Sequence, residues 1–216
     1  MSKLAKVNQF NRSGTVHYRV DQRENGIAGI MLSVDFDRAP VPENNYIADY
    51  FELHRCDADV LMIFGKKNFP SESELRNKIE IYFPFDPFVN QLWKSSRLMH
   101  KLLRENFEQK GKKAKEPGDL TSAEAKVQTL TANNALVVMT AGQCVMDFFL
   151  INAKDLWLKT RKGDPLNVDA IVRVFMSEHI LLGFLNRCDE LAAELKDEFD
   201  VQLSEEDDEI LESSGL

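Results

Sequence analysis

Four histidines (His17, His54, His100, His179) and three cysteines (Cys56, Cys144, Cys188) are the residues from which a metal centre or a nucleophilic site would be assembled. Only His54 and Cys56 stand close together, as His-x-Cys. On a strand, side chains two apart point to one face, so the pair could supply two ligands. A zinc site needs three or four. No second pair stands at ligand spacing, and no metal is expected. Asp57 and Asp59 also share a strand face and could hold a cation, but their place beside a turn favours solvated residues. An odd cysteine count without short spacing argues against a disulfide framework and predicts reduced thiols. Cys144 opens a strand and Cys188 sits on an apolar helical face, so both are expected to be buried and unpaired. Gly26-Ile-Ala-Gly29 is too short for a dinucleotide loop and has no helix behind it. Neither Gly-x-Ser-x-Gly nor a phosphate-loop Gly-Lys-Ser/Thr occurs. No catalytic residue and no cofactor is assigned, and the expected protein is non-enzymatic. An enzyme with an unrecognised site is an alternative.

Charge layout carries more information. Residues 94–115 hold Lys94, Arg97, Lys101, Arg104, Lys110, Lys112, Lys113 and Lys115 against Glu105 and Glu108, a segment charge of +6. Lys94, Arg97, Lys101 and Arg104 step by three and four, which predicts one polar stripe along a helix, continuous with the lysines that follow. These eight residues are the candidate polyanion-binding set. Residues 189–216 carry twelve acidic residues and one basic, Lys196. The run Glu205-Glu-Asp-Asp-Glu209 is the nearest competitor for the basic stripe. The blander alternative is a solvated helix face and a solubilising tail. With a net charge of −8 over 216 residues, the protein is not expected to coat nucleic acid with its whole surface.

The elements that must position these residues follow from periodicity. Val16, Tyr18 and Val20 alternate with His17, Arg19 and Asp21, which predicts a strand over 15–23. Asn25-Gly26 suits a type I′ turn, and 27–36 is the return strand of a hairpin. Further strands are predicted at 46–54, 58–64 and 79–83, with a loop around Pro70, Ser71, Glu72 and Ser73. Asp86-Pro87 opens a helix whose apolar face is Phe88, Leu92, Met99, Leu103 and Phe107. Residues 110–119, KGKKAKEPGD, read as a basic linker. Thr121-Ser-Ala-Glu124 is a capping-box pattern and predicts a short helix to about Leu130. Strands at 135–140, 145–151 and 171–176 and a helix from Ser177-Glu178 complete the order. Trp93 is expected in the core. Trp157 is expected in a loop between Leu156 and Leu158, either on a partner surface or folded back over the core. Residues 1–13 read as loose, without a signal-peptide pattern. No apolar run approaches the ~20 residues of a membrane helix.

The two halves can be laid on one another. At an offset of 88, Asn45 falls on Asn133, Cys56 on Cys144 and Asp59 on Asp147. At 93, residues 79–83 fall on 172–176, and at 92 Phe88 falls on Ile180 and Phe107 on Phe199. This order predicts a duplicated strand-strand-strand-helix unit, packed by a pseudo-two-fold axis. The segment Val172-Arg-Val-Phe-Met-Ser-Glu-His179 and the helix after it resemble a small bacterial family of unknown function. Its members show a strand, a Met-Ser-Pro-x-His-like turn and one long helix. Glu178 stands where that pattern prefers proline, and the first half has Pro84-Phe-Asp-Pro87 instead. The likeness covers 135–200 and, less closely, 45–108. It implies a fold and no activity.

The expected fold is α+β: a duplicated β-β-β-α unit with antiparallel sheets, long helices on one side and an N-terminal hairpin. The expected units are 14–109 and 121–200, joined by the basic linker 110–120 and followed by an acidic tail from 201. The expected function is that of a cytoplasmic interaction or adaptor protein, in one version chaperone-like, with a protein partner or a second copy of itself. The alternative is a nucleic-acid accessory factor using 94–115. No membrane partner is expected.

Overall fold

Val16, Tyr18 and Val20 put every second side chain of the first strand on one face, and the ladders follow the same logic throughout. A computed structural model describes residues 10–22, 28–67, 75–116, 126–140 and 143–199. The Asn25-Gly26 turn, the loop around Pro70, the Thr121-Ser-Ala-Glu124 pattern, residues 117–119 of the linker and the tail lie outside the described residues. The protein is mixed α+β. Strands β1 (Val16–Gln22) and β2 (Ala28–Val34) pair antiparallel, from Val16 opposite Val34 to Gln22 opposite Ala28.

Eight further strands form two four-stranded sheets. One has the order β4 (Tyr50–Cys56), β5 (Asp59–Lys67), β6 (Leu75–Pro84), β7 (Lys126–Thr131). The other has the order β8 (Asn134–Thr140), β9 (Gln143–Leu150), β10 (Asp169–Met176), β3 (Asn45–Ile47). In each, three consecutive strands pair antiparallel, and a strand from elsewhere in the chain adds in parallel at the end: β7 on β6 and β3 on β10. The sheets are therefore mixed, not purely antiparallel.

Two expectations are corrected here. Residues 46–54 are not one strand. Ala48 and Asp49 separate β3 from β4, and the two strands serve different sheets. Residues 126–130 are not helical but belong to β7, because the open edge of β6 pairs with them from Asn77 opposite Lys126 to Tyr82 opposite Thr131. A run rich in β-branched residues (Val127, Thr129, Thr131) fits a pleated edge better than a helix.

The ladders also set the offset between the hairpins. Phe51 faces Phe64 as Ala135 faces Phe148, and Leu53 faces Met62 as Val137 faces Met146. The offset is 84, not 88, so Cys56 and Asp59 do not correspond to Cys144 and Asp147. At 84 the buried Ala48, Met62 and Phe64 meet the identical buried residues Ala132, Met146 and Phe148. Backbone bonds agree: Asp49 N donates to Gly65 O as Asn133 N donates to Phe149 O, both at 3.0 Å. The Asp49 side chain accepts from Lys67 N and the Asn133 side chain from Ile151 N, both at 2.8 Å. Phe83 faces Val60 and Met176 faces Cys144, which keeps the last strands at 93.

Three helices follow the strands. A three-residue turn (Phe85–Pro87) and a six-residue π segment (Phe88–Trp93) lead into α1 (Lys94–Gln109). A π turn holds one extra residue in a helix. Helix α2 (Ala153–Lys162) occupies the stretch expected to be a loop. Its signals are local: Asn152 accepts from the backbone N–H of Lys154 and Asp155, and Gly163 closes the helix at φ 74°, where a side chain would be strained. Helix α3 (Glu178–Phe199) follows β10. One core joins the inner faces of both sheets to α1 and α3, through Phe51, Phe64, Phe83, Phe148 and Phe184. A second, smaller core lies where the β1–β2 pair covers the outer face of the β8–β9–β10 sheet, through Val16, Tyr18, Phe149, Ile151 and Leu166. The corresponding outer positions of the other sheet, at offset 84, are Gly65 for Phe149 and Lys67 for Ile151, too small or too polar for such a cover. No helix among the described residues is long and apolar enough to cross a membrane.

Candidate interaction surface

Helix α1 sorts its residues by spacing. Ser96, His100, Leu103 and Phe107 are buried. Trp93, just before α1, is also in the core. The opposite face carries Leu98 and Leu102, one turn apart, 71% and 52% exposed. A leucine pair so exposed in the middle of a solvent face is unusual enough to mark a contact surface. Lys94 and Lys101 flank it at helical spacing, with Glu105 at its end.

The basic residues are not one continuous exposed stripe, as the spacing alone suggests. Lys101 is exposed, whereas Lys94, Arg97 and Arg104 are half-buried. Arg97 lies over the Trp93 ring, 5.5 Å from its centroid, because the aliphatic stem packs along the indole and leaves the charged head at the rim. Lys110, Lys112, Lys113 and Lys115 are exposed, but the chain that carries them is held. Lys112 N donates to Phe107 O at 2.9 Å, and Lys115 N donates to His179 O at 2.9 Å. His179 Nδ1 donates to Lys113 O at 2.7 Å, and its ring lies edge-on to Phe107. The strap crosses α3 at Gly183, where a Cβ would stand 1.8 Å from Lys115 O. Only glycine permits this approach. The part of the linker from 112 to 116 is thus a docked strap that presents lysines beside the end of α1.

The two long helices are locked by a polar cluster that charge counting hides. Asp189, counted with the acidic tail, is buried between them. Its Oδ1 accepts from Trp93 Nε1 at 2.7 Å, and its Oδ2 accepts from His100 Nδ1 at 3.1 Å. His100 Nε2 lies 2.8 Å from Asn186 Oδ1. Every polar group here has a partner, as burial requires. A second buried carboxylate, Asp147, takes a bidentate bond from Arg173 directly across the β9–β10 ladder, 2.7 Å for each contact. That bond raises the Arg173 pKa.

The remaining candidates stay apart. His54 donates to Glu52 at 2.5 Å on the outer face of β4, and Tyr50 also donates to Glu52. Cys56 is half-buried at the strand end, and Asp57 takes positive φ (49°) in the turn. No group of three metal-ligating residues forms among the described residues. Cys144 and Cys188 are buried and free. Burial, with the Glu178 charge second, pushes the Cys144 thiol up to about 11. Burial also raises Cys188, with Asp189 second. Trp157 on α2 is 61% exposed, with Arg161 over its ring at 5.2 Å. Comparison with protein-family models, with curated proteins and with solved structures gives no match.

Proposed function

We propose that this chain is a non-enzymatic interaction protein, built from a duplicated strand-strand-strand-helix unit, that binds an acidic protein segment containing apolar residues through the solvent face of α1. The observation that carries the reading is the Leu98–Leu102 pair with Lys94 and Lys101 beside it. Apolar contact supplies affinity once water is displaced, and the rim of cations selects an acidic partner and speeds its approach. Duplication is supported by the common offset of 84 across β3–β5 and β7–β9, and by the reciprocal parallel strands. The Met176-Ser-Glu-His179 turn is where the proposed kinship with the bacterial family rests.

The test is binding of a labelled Glu/Leu-rich peptide and a labelled single-stranded oligonucleotide, each at low and high salt. Expected is a salt-sensitive peptide complex that weakens by about tenfold or more in the Leu98→Gln/Leu102→Gln protein, since each buried leucine contributes roughly 1.5–3 kcal/mol. A peptide that fails to bind overturns the reading. The exposed lysines 112, 113 and 115 favour the second reading, a nucleic-acid accessory factor. Oligonucleotide binding that ignores the leucines and is lost on Lys101→Glu/Lys113→Glu would establish it.

A further inference from the structure

We infer that the acidic C-terminal segment of this same chain, residues 205–211, folds back onto the Leu98–Leu102 face of α1 and occupies the partner site in cis. The inference rests on the proposed function, of which it is the regulation. Helices α1 and α3 run antiparallel: Phe107 meets His179 at one end, and Trp93 meets Asp189 at the other. Phe199 therefore ends α3 beyond the start of α1, on the Phe85 side. From the level of Asp189, α3 continues about 15 Å to Phe199 at 1.5 Å per residue, and Leu98 and Leu102 lie about 8 and 14 Å back the other way. A returning chain must cover roughly 22–29 Å. Residues from 200 to 211, at about 3.3 Å each when extended, span up to ~40 Å, enough to bring 205–211 over the leucines.

The composition of that segment matches the surface. Glu205-Glu-Asp-Asp-Glu209 is followed at once by Ile210-Leu211. Five anions would lie along Lys94 and Lys101 while Ile210 and Leu211 cover Leu98 and Leu102. A segment serving only to solubilise has no need of adjacent isoleucine and leucine. An acidic partner would then bind by displacing an acidic mimic of itself. A site closed nine-tenths of the time shows about tenfold weaker apparent affinity than an open one.

The experiment uses the full chain. Zero-length carbodiimide coupling, read by mass spectrometry on a mixture of isotope-labelled and unlabelled protein, is expected to join Lys94 or Lys101 to residues 205–209 within one chain. Those links should fall severalfold in the Leu98→Gln/Leu102→Gln protein and at high salt. The variant Glu205→Gln, Glu206→Gln, Asp207→Asn, Asp208→Asn, Glu209→Gln should bind the Glu/Leu-rich peptide about tenfold more tightly than the parent. Absence of links, links indifferent to the leucines, or links only between labelled and unlabelled chains overturns the inference. The proposed function survives that outcome if the peptide still binds in a leucine-dependent way. It falls separately if neither parent nor variant binds the peptide.

Discussion

Phe64 and Phe148 occupy the same place in their two hairpins, and their rings touch, with centroids 6.0 Å apart. A residue that contacts its own counterpart in a pseudo-symmetric pair lies at the axis relating the two. Phe184 of α3 also meets Phe64, at 5.4 Å, and Phe83 meets Phe148, at 6.4 Å. Phe64→Ala and Phe148→Ala should each cost about 3–5 kcal/mol, as buried phenylalanines do. Because the two share one contact, the double variant should fall short of additivity by roughly 0.5–3 kcal/mol in denaturant titrations. Strict additivity would mean that the rings do not couple the two sheets.

Asp189 ties the π segment and α1 to α3 through Trp93 and His100. Asp189→Ala leaves two buried donors without an acceptor and should destabilise by about 3 kcal/mol or more. Adding Trp93→Phe and His100→Leu to it should recover part of that loss, since the unsatisfied donors are then gone. The measurement is the denaturation midpoint of the single and triple variants. A single variant as stable as the parent would show the cluster to be ornamental to the fold.

Gly183 lets the strap pass. Gly183→Ala places a methyl where Lys115 O stands, so the carbonyl must move by more than an ångström or the helix must shift. Overpacking of this kind costs about 1–3 kcal/mol. The local readout is faster hydrogen exchange at the Lys115 amide, whose acceptor is His179 O. Unchanged exchange there, with global stability intact, would place the strap elsewhere.

Much of this fold is legible in the sequence where one element decides its own pattern. Alternation at Val16, Tyr18 and Val20, the apolar stretch 60–64 and the helical spacing after Glu178 each follow from burying one face. The Ala48-Asp49 break carries no glycine or proline, and only the existence of two sheets makes it necessary. Strand β7 depends on the free edge of β6, some 50 residues earlier, so no local signal declares it. Helix α2 did have signals, the Asn152 cap and the Gly163 stop, obscured by the aromatic residue between them. The hairpin offset is misread at 88 because a shared cysteine and aspartate are weak anchors; the buried Ala48, Met62 and Phe64 repeat only at 84. On α1 the charges draw attention from Leu98 and Leu102, although two leucines four apart on the lysine side are visible in the sequence. Asp189 looks like one more tail acid until a partner helix surrounds it.

Cys144 and Cys188 allow a prediction with a definite sign. Both thiols are buried, and both have pKa values above the ordinary 9.0, with Cys144 near 11. In the unfolded chain they ionise as pH passes about 9, whereas the folded protein keeps them protonated. Between those values the native state binds more protons than the unfolded state, so stability falls as pH rises. The contribution is intact below pH 9 and is lost progressively toward 11. Each unit of separation corresponds to about 1.4 kcal/mol, so Cys144 alone should remove on the order of 2 kcal/mol across the window. Cys144→Ala should flatten part of the alkaline slope in denaturation midpoints measured from pH 7.5 to 10.5, and adding Cys188→Ala should flatten it further. At neutral pH a thiol reagent should label Cys56 first and reach the other two only at the rate of opening, because the thiolate is the reactive form and these two are neither ionised nor accessible. Rapid labelling of all three in the native protein, or an alkaline slope unchanged by both substitutions, would contradict the burial that the fold assigns to them.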